Sequence, residues 1–433
     1  MNLSRPASRR HAFSRRTLSL ALLAALVAPV AHAEVALDVI ADSEVSFEGL
    51  LQADFNKFDS DFANLNGDGL DGGDSDNELR RAELVLKGKG PGNIEWVVGY
   101  DAKADKWLDV NAKYKFGGNA NHFVQVGQYK QPNSLEELSS TKNNDFISKA
   151  TVTNTFAVAR RLGAAYNYGD VNWGLTASYF TRELTEHPAP TPHGPGYGLR
   201  GYWAPLNDSG SILHFGLSYA NYDTFQDSQR WRARPNADLA GQRLVDSGNL
   251  TDTDRIATTG FESFWVTGPF KLQGEYMRSE TERYRAGNSD FTGSAGYLSA
   301  LWNITGETWG YKAGVPTTPL PNEPGSGMWQ VGLRYDTIDL NDGSVIPATT
   351  PTGSSRIVDV LGGEMDTITL GVNWYWRSNF KFMLNYVKVD SSRYFVRTPA
   401  SPYAVNPADN SKLVNAVIDD NPNILEARVQ FYW

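Results

Sequence analysis

The 433-residue chain contains no cysteine, which excludes a disulfide-stapled fold and any thiol chemistry. Histidine is scarce: there are six, and His11 and His32 fall in the first 33 residues. The sequence has no His-x-x-x-His pair, no Gly-x-Ser-x-Gly elbow and no Gly-rich phosphate loop. On that basis neither an enzyme, a resident metal nor a bound cofactor is expected. No segment reaches 18 consecutive apolar residues, so no membrane helix is expected. Positive charge is in the minority, with 40 Lys and Arg against 49 Asp and Glu. An acidic chain is a poor partner for nucleic acid.

The first 33 residues form a separate object. "MNLSRPASRRHAFSRR" carries five arginines and no acid, "TLSLALLAALVA" is a short apolar run, and "AHA" ends at Ala33. This is the anatomy of an export signal cleaved before Glu34. The reading is therefore a signal peptide over 1–33 and one domain over 34–433. Cleavage would leave a net charge of -14.

The remainder alternates. In "TITLGVNWYW", Ile368, Leu370, Val372, Trp374 and Trp376 form one row, and Thr367, Thr369, Gly371, Asn373 and Tyr375 form the other. The last ten residues, "ILEARVQFYW", repeat the pattern and stop on a bare tryptophan. Strict period-two alternation predicts strands with one apolar face. Sixteen such segments are predicted, at about 45–55, 80–87, 94–102, 107–116, 122–129, 160–168, 171–180, 196–204, 211–222, 258–267, 270–278, 295–305, 327–336, 366–376, 379–390 and 424–433.

Long and short connections alternate between these segments. Two exceptions are the short connection 103–106 and the long one at 306–326. An even strand number, connection asymmetry and aromatic strand ends predict an all-β transmembrane antiparallel barrel of the outer membrane. Mean hydropathy, -0.41, looks soluble only because alternation averages the two faces. Lipid tolerates no open sheet edge, so the C-terminal strand should close on the segment near Val45–Phe55. Its terminal aromatic would be what the barrel-assembly machinery reads.

The inward rows are polar. In "ELRRAELVL", Ala82, Leu84 and Leu86 face out, which turns Arg81 and Glu83 inward and leaves Arg80 at the strand mouth. Connection 130–159 holds Lys130, Lys142 and Lys149 and leads into Arg160 and Arg161; "QRWRARP" spaces Arg230, Arg232 and Arg234 by two. In an extended segment that spacing puts three guanidiniums on one side, and guanidinium matches phosphate bidentately. Basic rings favour anions in pores. The acids concentrate in "DSDFANLNGDGLDGGDSDNE", whose spacing fails as a calcium loop because the required terminal acid falls on Ser75. The residues alone also leave open a general or sugar-conducting porin and a secreted β-rich binding protein or adhesin.

"GQYKQPNSLEELSSTKNNDF", "ARRLGAAY", "ELRRAELVL", "RWRARP", "NITGETWGYK" and "LGVNWYW" together resemble the phosphate-selective porin O/P family across nearly the whole mature chain. The resemblance implies a homotrimer of sixteen-stranded barrels with the third loop, the fifth loop and one long periplasmic turn folded into the lumen. It implies an arginine ladder at Arg80, Arg81, Arg230, Arg232 and Arg234 leading phosphate-like anions to lysines at Lys142 and Lys312; Arg161, from the basic residues after the 130–159 connection, is read as a further pore-lining cation. After Lys312 this chain reads "AGVPTTPLPNEPGSG", with prolines and Glu323 where the family's phosphate channels place further lysines.

Overall fold

The structure is a computed structural model and describes residues 35–40, 43–66, 74–184, 193–346, 356–395 and 416–433. The export-signal segment and the core of the acidic first loop lie outside these residues.

Sixteen antiparallel strands close into a barrel: β1 Ser43–Asp59, β2 Ser75–Gly90, β3 Ile94–Asp101, β4 Lys106–Lys115, β5 Phe123–Lys130, β6 Arg160–Asp170, β7 Trp173–Phe180, β8 His193–Asp208, β9 Ser211–Thr224, β10 Thr253–Thr267, β11 Phe270–Arg283, β12 Phe291–Asn303, β13 Met328–Ile346, β14 Arg356–Trp376, β15 Phe380–Phe395 and β16 Asn423–Tyr432. Each pairs with its sequence neighbour. β16 returns to β1 in a ladder from Leu50↔Tyr432 to Asp59↔Asn423. Trp433 adds two backbone hydrogen bonds with Gly49, at 3.1 and 3.2 Å. Two short strands, Val35–Ile40 and Ala416–Asp420, pair beside β1 and β15.

Every predicted strand is present, but several run further than the alternation does. The segment at 366–376 is the end of a 21-residue strand, and 80–87 sits inside Ser75–Gly90. Most of the extra length lies at the long-loop end. There neither face meets lipid, so nothing selects an apolar row.

Burial is inverted relative to a soluble protein. On β11, Phe270, Leu272 and Tyr276 are 50, 41 and 49% exposed, whereas Lys271, Gln273 and Glu275 are 3, 7 and 3% exposed. An apolar outside and polar inside suit a wall between lipid and an aqueous lumen. At the short-turn end the outer face carries a band of rings. Trp329 stacks on Trp374 at 5.6 Å, Phe380 meets Phe431 at 4.8 Å, and Phe431 meets Trp433 at 5.4 Å. Amphipathic rings favour that interfacial level. Among the described residues, no helix is long and apolar enough to cross a membrane.

Three segments fill part of the lumen. The third loop, 131–159, carries α1 (Leu135–Leu138) and α2 (Thr151–Phe156) and is fastened to the far wall by buried side chains. Lys271 Nζ lies 2.6 Å from Asp145, Arg334 donates to Ser148 O at 3.0 Å, and Arg428 donates to Ile147 O at 2.7 Å. Glu275 accepts from the amides of Leu135 and Glu136, each at 2.8 Å. The fifth loop, 225–252, packs above it, with Trp231 against Phe156 at 5.1 Å. The long turn, 304–327, sends a hairpin of Gly310–Lys312 and Val315–Thr317 upward; Arg200 bonds Gly314 O at 2.8 Å. The turn meets the loop where Thr318 Oγ1 donates to Asn143 O at 3.3 Å. An apolar cluster thus occupies the lumen against β9–β15, and the open space lies against the opposite wall.

Candidate functional site

The inward rows of β1–β6 and the edge of the third loop enclose a cavity of about 430 Å³. A second cavity, about 480 Å³, adjoins it towards the short-turn end and shares Glu48, Lys87, Asp109 and Lys113. Together they form the polar passage past the loop.

The upper cavity is lined by six cations, Lys87, Lys113, Lys130, Lys142, Arg160 and Arg200, and three acids, Glu48, Glu83 and Asp109. The acids are all engaged. Glu48 binds Lys87 at 2.6 Å, Glu83 binds Arg81 at 3.1 Å, and Asp109 binds Arg160 at 2.8 Å. In the lower cavity Glu95 binds Lys115 at 2.5 Å and Glu44 lies 4.0 Å from Lys89. Among the described residues, Lys113, Lys130, Lys142 and Lys312 form no ion pair with a carboxylate. Lys113 sits over the Phe123 ring at 4.7 Å and Lys142 over Tyr432 at 5.6 Å. Lys130 donates to the carbonyls of Glu137 and Ser139, each at 2.6 Å, tying the wall to the loop. The passage therefore has paired negative charge and surplus positive charge.

The sequence-predicted residues fall into three groups. Lys142 lines the upper cavity and Lys312 the lower. Arg80 and Arg81 both turn inward, because the β1–β2 ladder steps from Gln52↔Arg81 to Ala53↔Leu79 and leaves Arg80 as a bulge. Arg80 is therefore not at the strand mouth; it binds Asp238 of the fifth loop at 3.1 Å. Arg230, Arg232 and Arg234 are exposed while the intervening Trp231 and Ala233 are buried, so spacing by two does put the guanidiniums on one side. Arg230 grips Asp246, Nε at 2.8 Å, and Arg234 donates to Ala240 O at 2.8 Å. Arg161 is buried and spent on Glu183 at 2.9 Å.

The fifth-loop guanidiniums feel one another. Burial, then the neighbouring Arg234 and Arg232, brings Arg243 down to about 10. Burial also lowers Arg234, with Arg80 and Arg232 adding to the effect against Asp238. Arg80, Arg232, Arg234 and Arg243 thus form one electropositive group above the passage. Lys87, Lys113 and Arg200 were not singled out from sequence. Lys87 and Lys113 lie on the inward rows that alternation defines, Lys87 four residues after Glu83 and Lys113 two after Asn111, so the same signal exposes them. Lys130, read as a loop residue, is a strand end facing the cavity, and Arg160 opens its strand beside it as expected.

A closed sixteen-strand barrel, apolar outside, ringed by aromatics, and bored by a polar passage narrowed by an inserted loop, is an outer-membrane porin. Comparison with known proteins agrees. The family description "Phosphate-selective porin O and P" matches residues 45–433, and the chain belongs to that family. Porin O of Pseudomonas aeruginosa is 25% identical over 394 residues, which cover 81% of this chain and 84% of that protein. Among solved structures, an anion-selective porin from Comamonas acidovorans has a TM-score of 0.52 at 13% identity, covering 90% of this chain and 100% of its own. OmpT of Vibrio cholerae in its trimer form has a TM-score of 0.51 at 12% identity, covering 90% and 99%. These two likenesses concern the fold.

Proposed function

We propose that the protein is a passive channel for small anions of the phosphate type across the outer membrane. The observation that carries this reading is the charge imbalance in the passage: each carboxylate facing it is ion-paired, while among the described residues Lys113, Lys130, Lys142 and Lys312 have no carboxylate partner. The arginine group of the fifth loop and Arg80 raises local anion concentration at the entrance. The lysines then replace part of the hydration shell at the narrow point, weakly enough to permit release. The family description and the anion-selective neighbour support the same reading. We also propose that residues 1–33 are an export signal, that the C-terminal strand addresses the chain to the barrel-assembly machinery, and that three barrels associate in the outer-membrane lipid, as the trimeric neighbour suggests.

Reversal potentials of the purified protein in planar bilayers test the channel reading. Anion preference in a salt gradient, with concentration-dependent block by phosphate, is expected. Cation preference with no block rejects it. Lys142→Glu should lower the anion-to-cation permeability ratio about tenfold, since it replaces an unpaired positive charge at the narrow point by a negative one. An unchanged ratio removes Lys142 from the site.

A further inference from the structure

The inward rows of a water-filled barrel are ordinarily polar. Part of this wall is not. Leu50 on β1, Val85 on β2, Val97 on β3 and Leu108 on β4 line the same cavity as Lys130 and Lys142. Their inward direction follows from their neighbours two residues away. Leu50 lies between Glu48 and Gln52, and Gln52 bonds Gln430 at 2.6 Å. Val85 lies between Glu83 and Lys87, and Lys87 bonds Glu48 at 2.6 Å. The patch is continuous. A Cβ placed on Gly99 would lie 3.2 Å from Leu108 Cβ and 3.3 Å from Val85 Cγ2, so the glycine leaves a dent between them. Leu138 of the third loop and Val315 of the long turn line the same cavity.

The bilayer does not ask for these side chains, because the outward rows supply the apolar face. Val85 and Val97 are only partly covered by protein, as are Leu138 and Val315, whereas Leu50 and Leu108 are buried and back the two valines. Apolar surface left against water in a passage gains free energy only when something apolar covers it. We infer that the favoured permeant is an organic anion, with a phosphoryl or carboxylate head at Lys130 and Lys142 and an aryl or branched-alkyl body against Val85, Val97 and Leu138, with Leu50 and Leu108 behind the valines. This inference rests on the anion-channel reading above. It also gives a role to the segment after Lys312, where Ala313 and Val315 face the cavity in place of charge.

The experiment is current block of the full-length protein in bilayers by orthophosphate, phenyl phosphate, acetate, benzoate and phenol at matched ionic strength. Phenyl phosphate should half-block at a concentration at least about fivefold lower than orthophosphate, and benzoate similarly against acetate, as a partly covered apolar group provides. The double variant Val85→Asn/Val97→Asn should bring both ratios towards one. Leu138→Ser, on the loop, should move them in the same direction without altering the wall, and so serves if the wall variant fails to assemble. Equal half-block by the aryl and non-aryl anions in an anion-selective channel overturns this inference and leaves the channel reading standing. Cation selectivity with no block by any anion overturns both. Block by phenol as strong as by phenyl phosphate overturns the assignment of the head to the lysines.

Discussion

Arg428 shows how single residues hold this channel open. It is buried, its Nε and Nη2 each bond Asp54 at 2.6 Å, and its Nη1 reaches the loop at Ile147 O. Removing one member of a buried pair strands the other. Arg428→Ala should therefore cost about 3–5 kcal/mol and lower the temperature at which the folded barrel loses its compact gel mobility. Asp54→Asn combined with Arg428→Met should recover most of that loss; no recovery would mean that the bond to the loop, not the pair, carries the effect. Legibility at this scale was uneven. Alternation placed Arg428 inward, but its bond to the loop is to a backbone carbonyl 281 residues away, which has no signature in the sequence. Arg80 was misplaced for a different reason. A bulge shifts the two-residue period by one, and nothing in "ELRRAELVL" marks where it falls.

At the scale of elements, the third loop is the part whose position sets the bore. Its Glu137 is buried, which pushes the carboxyl up, yet the Lys149 ammonium and then Lys130 hold it down at about 2. A carboxyl depressed in the folded state contributes stability above its ordinary value of about 4.3, and that contribution is lost as pH falls through the folded value. Loop docking through Glu137 should thus persist at pH 5 and disappear near pH 2. Open-channel current noise checks this: Glu137→Gln should be noisier than the parent at pH 5, and the two should converge near pH 2. A constant difference at both pH values would show that Glu137 does not act through its charge. The loop's approximate place was legible because a 29-residue connection between two short strands is too long for a simple turn. Its fastening was not, since it depends on amides and carbonyls meeting side chains of β5, β11, β13, β14, β15 and β16.

For the whole molecule, the formal charge points one way and the passage the other. The chain is acidic, while the polar passage keeps a surplus of lysines. The balance within about one Debye length of the permeant decides selectivity, and that length falls from about 10 Å at 0.1 M salt to about 3 Å at 1 M. Anion preference measured from reversal potentials should therefore weaken as salt rises from 0.1 to 1 M. A preference independent of salt would point to close coordination rather than to the field of the wall.

The unusual length of β14 has an architectural consequence. Its 21 residues reach roughly 70 Å end to end, and at the usual inclination of about 45° they climb roughly 50 Å. A hydrocarbon-facing belt is only about 25 Å tall. About half of this ribbon must therefore stand clear of the hydrocarbon as a parapet at the long-loop end, walling the space in which the fifth loop and its arginines lie.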